Sequence, residues 1–201
     1  GYYNSADENV INWQLSLMSK AGIDGVMVYW KGAPDSNPHP NQQNATNILW
    51  KIMRESYPNL KLGMCIDNGI ISTNQTAFVE DLQYLNEHYF QHPSYLKYKD
   101  GNPIMTIFPI SHSWPGQLTA HSIEEALKKA GTPSVYLYSH KSGQVNFTGN
   151  TYDNLGIYNW VTPQGKSSNK DDQIDECKQD NEEYYKQAKE EPYRSKFYIG
   201  S

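Results

Sequence analysis

The sequence predicts an α/β protein built as a (β/α)8 TIM-type barrel, in which eight parallel strands are wrapped by helices. Helix-like and strand-like segments alternate along the 201 residues. The strand-like segments are apolar on both faces, as in a parallel sheet covered by helices. No glycine-rich nucleotide loop follows any of these strands, and this favours the barrel over an open doubly wound sheet.

The first predicted elements are a helix and a buried strand. Ser5 and Glu8 form an S-x-x-E capping box, apolar residues follow at helical spacing, and Gly22 lies where a helix commonly ends. The run GVMVYW at 25–30 is a continuous β-favouring stretch, and the Gly/Pro/Asn-rich residues 32–41 are typical of a loop.

The same unit then repeats. A helix centred on the apolar residues of 48–53 ends before Pro58, and the strand KLGMCID covers 61–67. A further helix over 78–89 ends before Pro93. Helix and strand therefore continue to alternate.

The second half of the chain extends the pattern. A capping box at Ser122 and Glu125 begins a helix that ends at Gly131. A charged segment over 171–190 is interpreted as an outer, solvated helix. Four more strands are predicted at 103–108, 134–140, 155–161 and 196–200.

The strand count is lower than a closed barrel requires. Six or seven strands are predicted against eight, so the barrel lacks its first and last strands in this chain. Two interpretations follow: residues 1–201 are a single barrel domain within a longer protein, or an incomplete barrel with exposed parallel edges. We favour the first.

Composition excludes several classes of function. The 17 basic residues against 22 acidic ones, a net charge of −5, argue against a nucleic-acid partner. No apolar run is long enough to span a membrane, and neither a metal-ligand spacing nor a cofactor motif is found. Sequons at Asn44, Asn74 and Asn146 favour a secreted protein or one in the secretory pathway. The oligomeric state is left open.

In a parallel barrel every strand ends at the same rim, where active sites are built. The predicted rim set is polar and aromatic. It consists of Tyr29, Trp30, Lys31, Asp67, Asn68, Ser111, His112, Trp114, Tyr138, Ser139, His140, Asn159 and Trp160. Aromatic rings stack on sugars, amides bond hydroxyl pairs and a carboxylate transfers protons, so this set predicts a carbohydrate site with Asp67 as its catalytic residue.

Several residues of the rim set also have simpler structural interpretations. The residues at 67–69 form an Asp-Asn-Gly turn in their own right. Trp30 and Trp160 are equally compatible with capping of the core, and His112 and His140 with ordinary hydrogen bonding.

Four segments together resemble the family 99 glycoside hydrolases and their relatives in family 71. These segments are 1–30, 78–108, 152–163 and 197–201. The stretch HPSYLKYKDGNPIMTIF at 92–108 is the most specific, because it joins a helix end, a His-Pro turn, a Tyr-rich hairpin-like connection and a strand in one order.

The resemblance implies a (β/α)8 barrel with endo-α-mannosidase or endo-α-mannanase activity. In the family, the strand corresponding to 61–67 ends with two glutamates three residues apart. Asp67 takes the place of the first, which would deprotonate the 2-hydroxyl of the sugar to form an epoxide-like intermediate. The second position is Ile70, which cannot protonate a leaving group, and His112 or His140 is the better-placed substitute.

The function predicted from the sequence is therefore hydrolysis of an α-linked glycan of α-mannan or α-glucan type. Two alternatives remain. One is a non-catalytic barrel that binds glycans, which Ile70 favours. The other is a partner domain in glycan synthesis.

Overall fold

A computed structural model of the chain describes residues 4–34, 40–67, 75–108, 120–132, 136–140, 155–158 and 197–199, with six positions between 174 and 186. The helices of this part are α1 (Glu8–Lys20), α2 (Pro40–Ser56), α3 (Gln75–Leu85) and α4 (Ala120–Ala130), and a π-helical turn, Asn86–Phe90, continues α3. The strands are β1 (Gly25–Trp30), β2 (Lys61–Asp67), β3 (Ile104–Phe108), β4 (Tyr136–His140), β5 (Leu155–Tyr158) and β6 (Phe197–Ile199).

The six strands form one sheet in the order β1-β2-β3-β4-β5-β6, and every neighbouring pair is parallel. A doubly wound sheet would reverse its strand order at a switch point. The order here is sequential, as in a barrel. The parallel β/α sheet predicted from the sequence is confirmed, and closure into eight strands remains a prediction.

The hydrophobic core lies between one face of the sheet and the helices. On β2 the side chains of Leu62, Met64 and Ile66 are fully buried in a cluster that also contains Leu15 of α1 and Leu82 of α3. The opposite face of the sheet carries Met27, whose sulfur lies where a side chain at Gly63 would have to fit. On β1 and β2, alternating residues therefore face either the helices or the opposite side of the sheet.

Both predicted capping boxes are wrong. The N-cap of α1 is Asp7, whose Oδ1 accepts hydrogen bonds from the backbone N–H groups of Asn9 (2.8 Å) and Val10 (3.3 Å). Asp lies two residues beyond Ser5 and is at least as good a cap. Helix α4 begins at Ala120, so Ser122 lies inside it.

The connection between the π-helical turn and β3 inserts between two strands. The N–H of Leu62 donates to the carbonyl of Ser94, and the N–H of Leu96 donates to the carbonyl of Leu62. A tight turn follows, in which the N–H of Tyr98 donates to Asn102. The hairpin-like connection predicted for this segment is confirmed.

Tyr95 joins β2 to β3 through a fully buried hydroxyl. This hydroxyl accepts a hydrogen bond from the backbone N–H of Met64 (3.2 Å) and donates one to the carbonyl of Ile104 (3.0 Å). Burial raises the pKa of the phenol above its usual range, and the bond from Met64 opposes that shift. The hydroxyl therefore satisfies a donor and an acceptor that water does not reach.

We expect Tyr95→Phe to lower the free energy of unfolding by about 2–4 kcal/mol, because it leaves both buried backbone groups without a partner. Denaturant unfolding followed by circular dichroism measures this loss. Tyr57→Phe is the matched control, since its hydroxyl bonds only to Asn12 at the surface. Equal losses in the two variants would contradict the bridging role of Tyr95.

The carboxyl-terminal elements agree with the predicted ones where they are described. Strand β5 covers the first four residues of the predicted segment at 155–161, and the described positions between 174 and 186 are helical. Among the helices described, none is long and apolar enough to cross a membrane.

Candidate functional site

The strand register brings residues of all six strands into lateral rows across the sheet. One row runs through consecutive pairs of Tyr29, Cys65, Thr106, Tyr138, Gly156 and Phe197. In parallel strands, rows further along the chain direction lie nearer the carboxyl edge, where such folds carry their sites.

Two positions further toward the carboxyl edge, the row contains Asp67 and, by extension of the register between β3 and β4, His140. Asp67 lies two residues beyond Cys65 and pairs with Phe108, and His140 lies two residues beyond Tyr138 and pairs with Tyr158. Asp67 and His140 are two strands apart, roughly 10 Å between backbones at the usual strand spacing. Two of the residues predicted to form the site therefore share one register row.

Tyr29 lies on the sheet face opposite the helices. Its side chain is 39% exposed, and the ammonium group of Lys31 lies 5.6 Å from its ring centroid, a cation–π distance. Met27, two residues earlier on the same face, is also exposed. Tyr29 and Lys31 thus form an exposed aromatic and cationic pair beside the row of Asp67.

Trp30 lies on the other face and requires a correction. Its side chain is 1% exposed and stacks on Tyr84 of α3, with ring centroids 6.3 Å apart and planes 14° from parallel. A ring enclosed in this way has no exposed face on which a sugar could stack. Of the two interpretations of Trp30, core packing fits its position, and we remove it from the proposed site.

Asp81 of α3 fixes the loop that follows β1. Its carboxylate is 1% exposed, and Oδ1 accepts a hydrogen bond of 2.8 Å from the backbone N–H of Ala33. This hydrogen bond joins residues 48 positions apart in the sequence and holds the loop after Lys31 against α3. The sequence interpretation missed Asp81, because nothing in the sequence links it to Ala33, 48 residues away.

The other predicted site residues fall into two groups. Tyr138, Ser139 and His140 belong to β4 at its carboxyl end. Asn68, Ser111, His112, Trp114, Asn159 and Trp160 lie outside the described residues, as does Ile70. Within the part that is described, no three His, Cys, Asp or Glu side chains come together as a metal site would require.

Comparison with solved structures gives similar folds. The GH99 endo-α-mannosidase from Bacteroides thetaiotaomicron in complex with BIS-TRIS-propane has a TM-score of 0.62 at 16% identity, and another structure of that enzyme gives the same values. A glycoside hydrolase-like protein gives a TM-score of 0.72 at 12% identity. Each comparison covers 100% of this chain.

The chain shares the fold of these glycoside hydrolases. The resemblance to family 99 seen in the sequence is thus confirmed at the level of fold. The chain spans 57% and 54% of the two GH99 structures and 64% of the third protein. No protein-family model and no curated protein matches it.

Proposed function

We propose that this chain belongs to a glycoside hydrolase-type barrel that binds and hydrolyses an α-linked glycan at the carboxyl edge of its sheet. The observation that carries the proposal is the position of Asp67, the last residue of β2 in a sheet of sequential parallel strands. Such strand ends hold catalytic residues in barrels. The fold shared with the GH99 endo-α-mannosidases supports the choice of an α-mannan or α-glucan type of substrate.

Asp67 is proposed to take the proton of the sugar 2-hydroxyl, whose oxygen then attacks C1 and breaks the glycosidic bond while His140 protonates the leaving oxygen. Water then attacks C1 and gives a proton back to His140, and the bond from C1 to the 2-oxygen breaks as that oxygen takes its proton back from Asp67. His140 replaces the acid that the family carries where this chain has Ile70. The shared register row of Asp67 and His140 supports this pairing, because the backbones of strands two apart are roughly 10 Å from each other, about the span of a sugar ring and its two catalytic groups. Asn68, His112, Trp114, Tyr138, Asn159 and Trp160 remain proposed binding residues, with Tyr29 and Lys31.

A second candidate function is glycan binding without hydrolysis. Ile70 favours it, because a two-residue glycosidase mechanism fails without an acid to protonate the leaving group. The exposed Tyr29 would still provide an aromatic surface for a sugar in this case.

Product analysis by mass spectrometry separates the two candidates. The folded protein is incubated with α-mannan, α-1,3-glucan and high-mannose glycans. We expect shortened oligosaccharides from at least one of these substrates. Intact glycans after incubation, from protein that binds them in calorimetry, would replace hydrolysis with binding.

The cellular location of the protein is also a proposal. The sequon at Asn44 lies within α2 and its Thr46 is buried, so the proposal of a secreted protein or one in the secretory pathway rests on the sequons at Asn74 and Asn146. Asn74 and Asn146 lie outside the described residues. Because the solved relatives are longer, we treat the 201 residues as part of a single barrel domain.

A further inference from the structure

A cleft of about 750 Å³ lies between the amino-terminal halves of α1 and α2. Both helices run antiparallel to the strands they flank, so their amino-terminal ends lie at the carboxyl edge of the sheet, the end that carries Asp67. The volume is within the range of roughly 300–1,000 Å³ that is usual for small-molecule sites. Tyr29 is the proposed site residue that borders this cleft among the residues whose side chains the structure describes.

The lower part of the cleft is apolar. Ile11 of α1, Val28 of β1 and Leu49 of α2 line it, and Ile11 is 4% exposed. These side chains provide a surface for the C–H face of a ring.

The upper part of the cleft is polar but uncharged. Asn41, Gln42 and Asn44 line it from the first turn of α2 and are exposed to solvent. Thr46, below them, is buried and donates its hydroxyl to the carbonyl of Gln42. The lining residues that the structure describes are all neutral.

The side chains that line the cleft indicate which class of ligand it binds. An amide side chain offers both a donor and an acceptor, which matches a pair of neighbouring hydroxyls. A phosphate or carboxylate would find no cationic side chain among the lining residues that are described. An apolar ligand would leave the amide side chains of α2 without hydrogen-bond partners. An uncharged polyhydroxylated ligand satisfies both parts of the cleft.

We propose that the α1/α2 cleft is a second glycan site, which holds a neutral stretch of a long oligosaccharide whose other end lies at the Asp67 edge. Tyr29 borders the cleft and pairs with Cys65, two residues before Asp67 on the neighbouring strand, so it lies between the two sites. The choice of a glycan that reaches both sites rests on the proposed function. The choice of an uncharged polyhydroxylated ligand rests on the lining alone.

The test is calorimetric titration of the protein with α-linked manno-oligosaccharides of two and of six or more sugars. The cleft variant is Asn41→Ala/Asn44→Ala, which replaces two exposed helix residues by a better helix former and so keeps α2 folded. Lys51→Ala/Glu55→Ala is the matched control on exposed positions of the same helix. An oligogalacturonate of equal length tests a charged ligand.

We expect about tenfold weaker binding of the long oligosaccharide by the cleft variant, from the loss of two or more hydrogen bonds, with no change in the control. Wild-type affinity in the cleft variant, no binding of the long oligosaccharide by the wild type, or tighter binding of the oligogalacturonate would each overturn the cleft site. Hydrolysis is scored separately. If the protein hydrolyses glycans and the cleft variant binds the long oligosaccharide as tightly as the wild type, only the cleft site is refuted. If the cleft variant binds more weakly and no hydrolysis is detected, only the proposed hydrolase activity is refuted.

Discussion

Asp67→Asn and His140→Asn are expected to reduce glycan hydrolysis by about 10²–10⁴-fold each, the usual contribution of a general base or acid. The two variants differ on an activated substrate. A dinitrophenyl α-glycoside releases its leaving group without protonation, so His140→Asn should release dinitrophenolate in its first turnover at close to the wild-type rate. Asp67→Asn should remain inactive, because the proton on the sugar still has to be removed.

Initial rates on the natural glycan and on the dinitrophenyl glycoside measure this difference. His88→Asn is the control, since His88 is an exposed histidine on the π-helical turn and lies outside the proposed site. If the dinitrophenyl glycoside fails to restore the activity of His140→Asn, another residue is the acid. Full activity of Asp67→Asn would remove Asp67 from the mechanism.

Trp30→Ala should lower the free energy of unfolding by about 3–5 kcal/mol, the usual cost of emptying a buried aromatic site. Trp30 is 1% exposed, packs in the main core cluster and stacks on Tyr84. Urea unfolding followed by circular dichroism measures the loss without relying on tryptophan fluorescence.

Trp13→Ala provides the contrast, because Trp13 of α1 is 62% exposed and should cost no more than about 0.5 kcal/mol. A conservative Trp30→Phe variant keeps the protein folded for glycan binding, which should equal that of the wild type. A small cost for Trp30→Ala together with weakened glycan binding would return Trp30 to the rim set.

Sequence patterns were sufficient to predict the sheet but not its details. Strands β1 and β2 are continuous apolar runs, so length and flanking turns located them. Because every residue of GVMVYW after the glycine is apolar or aromatic, the sequence does not show which of them face the helices, and Trp30 at the strand end is predicted to lie on the rim. The cap of α1 was misplaced because Ser5 and Asp7 are both good caps and tertiary packing selects between them.

The site could be predicted only in part. Strand ends are visible in a sequence, so Asp67 and His140 were chosen, whereas their shared row depends on a register set by backbone pairing. Asp81 was missed because its partner, the amide of Ala33, is 48 residues away. The α1/α2 cleft was missed because it depends on how two helices pack.

The central claim, that glycans bind at the carboxyl edge of this sheet beside Asp67, is tested most directly by a crystal structure of the Asp67→Asn protein with a bound α-linked manno-oligosaccharide. We expect a sugar within hydrogen-bonding distance of residue 67 and in contact with Tyr29. A sugar bound at the amino end of the strands, or an edge that stays empty at saturating oligosaccharide, would contradict it.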